Sequence, residues 1–169
     1  MARMSYGSDS DFNAWMASMG YTLPSGSPAP AVLRFRGSVY IDGTYGNRFT
    51  GHPTGGFDQE NFFPVTGGIT TACVPIPPDV VPRGVVLASY FAAYQEAVAP
   101  GSLSVTTGSE GAIKREKVGQ LEVEYAGASS SASIVTTSPI LSSVDGLLAP
   151  YLRPDPNTFS PLLLLAIGE

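Results

Sequence analysis

Residues 82–99 (PRGVVLASYFAAYQEAVA) form the one long segment of this sequence whose apolar side chains recur at helical spacing. Positions three and four apart fall on one face of an α-helix, and here a second set of apolar residues widens that face. The stripe consists of Leu87, Phe91, Tyr94 and Val98, widened by Val86, Tyr90, Ala93 and Ala97. A stripe this broad predicts a central helix covered on more than one side, with the other elements arranged around it.

The flanking residues predict where this helix begins and ends. Asp79 is placed to accept hydrogen bonds from the first free N–H groups. Pro82 suits the first turn because its missing N–H would have no helical partner there. Pro100 and Gly101 are typical of a segment that ends a helix.

Two further helices are predicted before the central one. Residues 9–19 place Phe12, Trp15, Met16 and Met19 on one face, and Gly20 follows as a stop signal. Residues 31–41 keep Val32, Phe35 and Val39 at helical spacing, which favours a helix. Their β-branched and aromatic content makes a strand the competing interpretation.

The segment after the central helix predicts a strand and then a fourth helix. Residues 113–125 end in strict alternation, with Leu121, Val123 and Tyr125 facing one way, and Gly119 marks a bulge or flip point. Residues 139–149 form the fourth helix, whose inward side chains are Ile140, Leu141, Val144, Leu147 and Leu148.

The fold class predicted from these elements is mainly α. It is a small bundle of about four helices with a β-hairpin or extended strand segment and long loops. Residues 1–153 form one domain, and residues 154–169 form an extended C-terminal arm, because a chain of 169 residues supports a single core. The predicted core residues are Trp15, Phe35, Phe63, Leu87, Phe91, Tyr94, Leu121, Val123 and Leu148.

The long segment between residues 42 and 78 is rich in Gly, Thr, Asn and Pro. Loops of this length are uncommon in a compact domain unless they are functional or held by their own side chains. Aromatic residues occur throughout the segment, and we expect the phenylalanines to anchor it. These aromatics are Tyr45, Phe49, Phe57, Phe62 and Phe63.

Charge is scarce and its balance is acidic. Charged residues make up 14% of the sequence, against roughly a quarter in ordinary soluble domains, which is typical of a surface that other subunits partly cover. A small, loop-rich monomer is the alternative. The net charge of -5, with nine Lys and Arg residues in all, argues against a surface that follows a phosphate backbone.

No catalytic, metal or cofactor site is predicted, and the chain is not expected to be an enzyme. One histidine and one cysteine are too few for a zinc site of the usual kind, and no phosphate-binding glycine loop or nucleophile elbow is present. His52 is expected to be a solvated loop residue, and the single Cys73 indicates a reducing environment. The N-terminus lacks the apolar region of a signal peptide, and the leucine run at residues 162–165 is too short to span a bilayer.

Two segments are candidate contact sites. The basic cluster comprises Lys114, Arg115 and Lys117 with Val118 beside it, and it is either a solvated hairpin edge or a contact for an acidic protein surface. The C-terminal arm would cost roughly 25 cal/mol for each Å² of apolar surface left in water. It therefore folds back on its own domain or docks into a groove on another subunit. Its apolar residues are Phe159, Leu162, Leu163, Leu164, Leu165 and Ile167.

With these elements in order, the chain resembles the head-tail adaptor, or head-completion, proteins of long-tailed bacteriophages. The segments that carry the resemblance span most of residues 9–152. They are DSDFNAWMASMGY, YIDGTYGNRFTG, FFPVTGG, IPPDVVPRGVVLASYFAAYQEA, GAIKREKVGQLEVEY and PILSSVDGLLAPYL. Relatives of this pattern are often labelled DnaT-like single-stranded-DNA-binding proteins, a function that the acidic composition gives little reason to expect.

The resemblance implies a structural virion protein without catalytic residues or cofactors. It would form a homo-oligomeric ring of twelve subunits in the phage neck, and would assemble in the host cytoplasm. Its partners would be other copies of itself, the portal protein and a downstream neck or tail-completion protein, with genomic DNA passing through unbound and no membrane involved. The C-terminal arm would bind the portal, and the basic cluster would contact the neighbouring subunit or the next ring.

Two departures from the resembling proteins stand out. Those proteins commonly carry an arginine where this chain reads Phe63-Pro64-Val65-Thr66-Gly67, and the prolines before Tyr40 are expected to shorten the second helix. The alternative function is that of a single-stranded-DNA-binding replication accessory protein. It predicts salt-sensitive binding of oligonucleotides.

Overall fold

The computed structural model describes residues 5–104, 115–118, 121–124 and 142–153. Within these ranges four α-helices and two small two-stranded antiparallel sheets are present, which confirms the predicted mainly α fold class with a β-hairpin. The helices are α1 (Asp9–Met19), α2 (Pro30–Tyr45), α3 (Arg83–Val98) and α4 (Ser142–Leu148). The strands are β1 (His52–Pro53), β2 (Val65–Thr66), β3 (Arg115–Val118) and β4 (Leu121–Glu124).

Helices α2 and α3 form the centre of the molecule through an unusually close backbone approach. A Cβ atom placed on Gly37 of α2 would lie 2.3 Å from the carbonyl oxygen of Ser89 and 2.9 Å from the amide nitrogen of Ala93. Both of those residues belong to α3 and are fully buried. Small residues on both helices therefore set the spacing of the central pair.

This close approach changes which faces of the two helices are buried. On α3 the fully buried face contains small residues such as Ala88, Ser89 and Ala92, whereas the predicted stripe of Leu87, Phe91 and Tyr94 is only half-buried. Val98, at the end of that stripe, is 52% exposed. The other members of the predicted stripe, Tyr90, Ala93 and Ala97, are buried as predicted. Close helix packing favours small residues where α2 meets α3.

The apolar residues whose spacing predicted helix α2 do not form its buried face. Val32 and Val39 are exposed and Phe35 is half-buried, so Phe35 is not part of the buried core as predicted. The buried face lies on the other side of the helix, where Gly37 and Ser38 permit the contact with α3. Helix α2 runs over 16 residues from Pro30, so the preceding prolines do not shorten it as expected. Proline at the first helical position leaves no unpaired N–H there.

The ends of α1 and α3 follow local capping rules. Ser8 caps α1 by accepting a hydrogen bond from the amide of Asp11, and Gly20 ends it with a φ of 69°, as predicted. Helix α3 begins directly after Pro82, and no side chain caps it. The predicted cap, Asp79, is wrong because it lies three residues before the cap position.

Three aromatic residues anchor the long segment after α2. Phe49 and Phe63 are buried, and their rings meet edge to face with centroids 4.9 Å apart, while half-buried Phe62 packs against both. Strands β1 and β2 pair here, with His52 opposite Thr66. Phe57 breaks the expected pattern because it is 97% exposed. The predicted aromatic anchors are therefore confirmed except at Phe57.

Helix α4 covers the N-terminal half of α3. Val144 and Leu148 are fully buried, and a Cβ atom on Gly84 of α3 would lie 2.8 Å from the carbonyl oxygen of Leu147. A 3₁₀ turn over Ala149–Tyr151 follows, and Leu152 then forms a β-bridge with Phe49. The end of the described chain is thereby fastened to the long segment.

Strands β3 and β4 form the predicted hairpin. Their register pairs Arg115 with Glu124 and Val118 with Leu121. The basic cluster, predicted as either a hairpin edge or a contact segment, lies largely in β3, the first strand of this hairpin. Lys114 and the side chains of both strands lie outside the described residues.

Replacing Gly37 with alanine tests the close helix contact. We expect a loss of about 1–3 kcal/mol in the free energy of unfolding, because the added methyl group meets backbone that must move. Gly43→Ala on the same helix is the matched control, since no atom lies within 4 Å of its Cβ position. That variant should be stabilised by about 0.5–1 kcal/mol. Equal effects of both substitutions in urea denaturation would contradict the proposed contact.

Candidate assembly surface

The N-terminal segment is fastened to α2 by the buried Arg34 side chain. Its Nε donates to the carboxylate of Asp9 at 2.7 Å, and its Nη1 donates to the carbonyl oxygens of Tyr6 (3.1 Å) and Gly7 (2.7 Å). Arg34 is 8% exposed, and these bonds satisfy a charge that would otherwise be costly to bury. This arginine therefore acts inside the protein and is not presented to a ligand.

Tyr6 and Asp42 form a second buried polar contact. The Tyr6 hydroxyl donates to Asp42 at 2.6 Å and accepts a hydrogen bond from the amide of Phe63 at 3.1 Å. Burial raises the pKa of Tyr6 far above its usual range, and the charge of Asp42 adds to this effect. Burial also raises the pKa of Asp42, although hydrogen bonds from Tyr6 and Phe62 oppose the shift. These groups join the N-terminus, α2 and the long segment.

Positive charge on the described surface is sparse. Arg36 forms an ion pair of 2.9 Å with the buried Glu96, which also accepts a hydrogen bond from the amide of Gly101. Arg83 and Arg153 are exposed. Within residues 5–104 and 142–153 no row of lysine and arginine side chains marks a path for a phosphate backbone, and Arg34 and Arg36 are held in ion pairs.

Aromatic residues of α1 and α3, together with Tyr21 after the end of α1, form a connected cluster. Trp15 meets Phe91 edge to face at 4.8 Å, and the rings of Tyr21 and Tyr94 stack at 4.3 Å. Trp15 and Tyr94 are half-buried and pack against the second core cluster, with Phe12 and Tyr90 beneath them. Trp15, Leu87, Phe91 and Tyr94 thus lie at the border of the core, and the faces of these rings are largely used within the protein.

Open grooves flank the central helix pair in the part of the chain that the structure describes, and two of them concern us. The larger groove has a volume of about 580 Å³ and lies between α1 and the first half of α3. Trp15, Val81 and Leu87 supply apolar lining, and Arg83 supplies a positive charge. The smaller groove, of about 300 Å³, is bounded by Phe35, Val39 and Leu103.

Apolar side chains also remain on the outer surface. On α2 the exposed Val32 and Val39 lie seven residues apart with Phe35 between them, which places all three along one side of the helix. A surface stripe of this kind on a chain with few charges is typical of a protein that binds other proteins. All three residues served to predict the helix, and Phe35 alone was predicted to belong to the core.

The predicted contact and core residues can now be placed. Phe63 and Leu148 are buried as predicted. The side chains of Leu121 and Val123 lie outside the described residues, and so does the whole C-terminal arm with Phe159, Leu162, Leu163, Leu164, Leu165 and Ile167. The two predicted contact segments therefore lie largely outside the described residues, and their contacts stay predictions. Both grooves were missed, because each is formed by residues that are distant in sequence.

The described residues contain no group of three or more His, Cys, Asp and Glu side chains able to hold a metal ion. His52 is exposed, as predicted, and Cys73 is an exposed free thiol. Among the helices of the described part, none is long and apolar enough to cross a membrane.

Comparison with known proteins identifies the family. Residues 3–161 match a family described as "Putative DnaT-like ssDNA binding protein". The chain belongs to this DnaT-like family. The match covers all four helices and the β3–β4 hairpin, so it includes both grooves and the α2 surface stripe. No curated protein and no solved structure matches this DnaT-like chain.

Alkaline titration tests the buried tyrosine contacts. Burial raises the pKa of Tyr6 and also of Tyr45, whose hydroxyl donates to Asp145 at 2.7 Å. Both hold their protons more tightly when folded. Their contribution to the free energy of unfolding is therefore complete below the ordinary tyrosine pKa of 10.0. It is lost as pH rises through the higher pKa values that these tyrosines have in the folded protein. We expect urea stability to fall above pH 10.0 in the wild type and to fall less in a Tyr6→Phe, Tyr45→Phe double variant.

The fall that remains in the double variant is assigned to Tyr90, whose pKa burial also raises. Each single variant should also lose about 1–3 kcal/mol at neutral pH, because an aspartate loses its hydrogen-bond partner. An identical alkaline fall in wild type and double variant would show that these hydroxyls ionise freely in the folded protein.

Proposed function

We propose that this DnaT-like protein is a structural component of a tailed-phage neck. It forms a head-tail adaptor ring, expected to hold twelve subunits, that docks to the portal and provides a platform for tail attachment. It is not an enzyme and uses no cofactor. It assembles in the host cytoplasm and resides in the virion.

The observation that carries the proposal is the apolar surface of a helical body that is otherwise well packed. Val32, Val39 and Val98 are exposed on the two central helices, and two open grooves flank them. Contact surfaces of homo-oligomers are more apolar than the rest of a protein surface. Repeated self-association would cover these residues and would account for a charged fraction of only 14%.

The charge distribution supports a channel protein over a DNA-binding protein. Arg34 and Arg36 are held in ion pairs with Asp9 and Glu96. With a net charge of -5 on every subunit, a ring as a whole would repel the phosphate backbone. Genomic DNA would then pass through such a ring without specific binding.

The alternative is a single-stranded-DNA-binding replication accessory protein, which the family description favours. The aromatic cluster around Trp15, next to Arg83 in the larger groove, is the feature that favours it in this chain. Stacking of bases on aromatic rings is worth about 1–3 kcal/mol per base. However, the Trp15 ring already contacts four other rings, and one arginine supplies little of the electrostatic attraction that such binding needs.

Mass photometry and fluorescence anisotropy in one low-salt buffer distinguish the two functions. We expect the protein to form a ring alone or on addition of portal protein, and to leave the anisotropy of a labelled single-stranded oligonucleotide unchanged. Tight binding of the oligonucleotide by a small oligomer, weakening steeply with salt, would overturn the neck function. It would establish the replication accessory function in its place.

Two variants separate the proposed contacts of the C-terminal arm and the hairpin. Deleting residues 154–169 should abolish capture by portal-containing heads and leave the ring intact, because the leucine-rich arm is proposed to bind the portal. Replacing Lys114 and Arg115 with glutamate should weaken the ring or its stacking on the next neck protein and leave portal capture intact. Normal head joining by the truncated protein would disprove the arm contact, and unchanged assembly of the charge variant would disprove the hairpin contact.

A further inference from the structure

Phe57 is presented to solvent by a loop that is itself firmly held. The side chain is 97% exposed at the centre of a 3₁₀ turn, Gly56–Asp58. The neighbouring Gln59 braces the turn: its side-chain nitrogen donates to the carbonyl oxygens of Asn61, Phe62 and Pro64 at 2.8–3.0 Å. Its side-chain oxygen accepts from the amide of Gly55 at 2.8 Å.

A braced, exposed phenylalanine is well suited to binding. Aromatic side chains bury about 150–250 Å² each when covered, so they dominate the energetics of many interfaces. Little conformational entropy is lost on binding when the supporting loop is already ordered. The other aromatic residues of this long segment pack into the core, which makes the exposure of Phe57 the exception. We call Phe57 and the adjacent Asp58 the knob.

The larger groove has the complementary properties. It lies between α1 and α3, has a volume of about 580 Å³, and is lined by the apolar side chains of Ala14, Trp15, Val81, Val86 and Leu87. Arg83 lies on its α3 wall and is exposed. Asp11 lies on the α1 wall and accepts a hydrogen bond from Ser8.

Charge fixes the orientation in which the knob would enter. Asp58 follows Phe57 directly and is exposed, so an inserted Phe57 ring carries a carboxylate to the rim of the groove. Arg83 attracts that carboxylate toward the α3 wall, and Asp11 repels it from the α1 wall. An apolar ring with one adjacent negative charge therefore matches an apolar groove with a positive charge on one side.

We propose that the knob of one copy of this chain inserts into the larger groove of a second copy, with Asp58 facing Arg83. This inference rests on the proposed function, because it supplies the contact between neighbouring ring subunits. Knob and groove are different surfaces of the same chain, so the contact is head-to-tail. Such a contact repeats from subunit to subunit and closes into a ring when the rotation permits.

Two complementary variants of the full chain test the contact by native mass spectrometry. Phe57→Ser removes the knob, and Ala14→Glu places a long acidic side chain in the groove from an exposed helical position. We expect each variant alone to be mainly monomeric, with at least a tenfold weaker subunit association than the wild type. A one-to-one mixture should form a heterodimer that does not grow, because one intact knob and one intact groove remain between the two variants.

A charge exchange tests the orientation. Asp58→Arg and Arg83→Asp should each weaken ring formation, and the double variant should recover most of it. Val74→Ser is the matched control, since Val74 is also an exposed apolar residue, at 57%, but lies outside the knob and the groove. The Val74→Ser variant should assemble into the same ring as the wild type.

The outcomes separate the two proposals. If the wild-type protein stays monomeric with and without portal, the proposed ring function itself is disproved. Rings that persist in both Phe57→Ser and Ala14→Glu would overturn the knob contact and leave the ring function standing. Rings that dissociate on deletion of residues 154–169 but not with Phe57→Ser would overturn it too, and would assign the groove to the C-terminal arm.

Discussion

The contact between α2 and α3 is the constraint on which the rest of the structure depends. Gly37 lies against the backbone of Ser89 and Ala93, so these helices approach more closely than large side chains would permit. The face that makes this contact is then necessarily built from small residues. Larger side chains such as Phe91 and Tyr94 are displaced to the flanks, where α1 and the first part of the chain cover them.

The polar groups of the fold are largely used to hold its own segments together. Arg34 binds the N-terminal segment, Glu96 binds both Arg36 and the turn after α3, and Asp42 joins Tyr6 to the amide of Phe62. A chain with few charged residues that uses several of them internally leaves a surface on which apolar side chains are prominent. The apolar character of the surface is thus partly a consequence of using charged side chains for hydrogen bonds inside the fold.

Local signals in the sequence were sufficient to predict the elements but not the faces they bury. Gly20 and Gly101 act within a few residues of themselves, and the helix ends that they mark were predicted correctly. Phe35 of α2 was predicted to belong to the core because an apolar residue at helical spacing favours burial, but it is only half-buried. Gly37 determines which side of α2 is buried, because it contacts the backbone of a helix some fifty residues later in the chain.

The surface features escaped prediction for a related reason. A groove between α1 and α3 exists only when both helices are placed, and no local pattern marks it. Phe57 was expected to anchor its loop as Phe49 and Phe63 do, because composition cannot show which of several phenylalanines the chain turns outward. Gln59, whose side chain holds that turn, is polar, so a hydrophobic pattern does not reveal its role.

The hydrogen bonds that close this fold join residues far apart in the chain. Tyr6 contacts residues 36 and 57 positions later, Ser8 contacts Tyr90 across 82, and Tyr45 contacts Asp145 across 100. Each of these hydrogen bonds closes a long loop, and the entropy cost of loop closure must be met before the bond can form. During synthesis the N-terminal segment can form its hydrogen bonds only after the partner residues have been made. The hydrogen bond between Tyr45 and Asp145 can form only after α4 has left the ribosome.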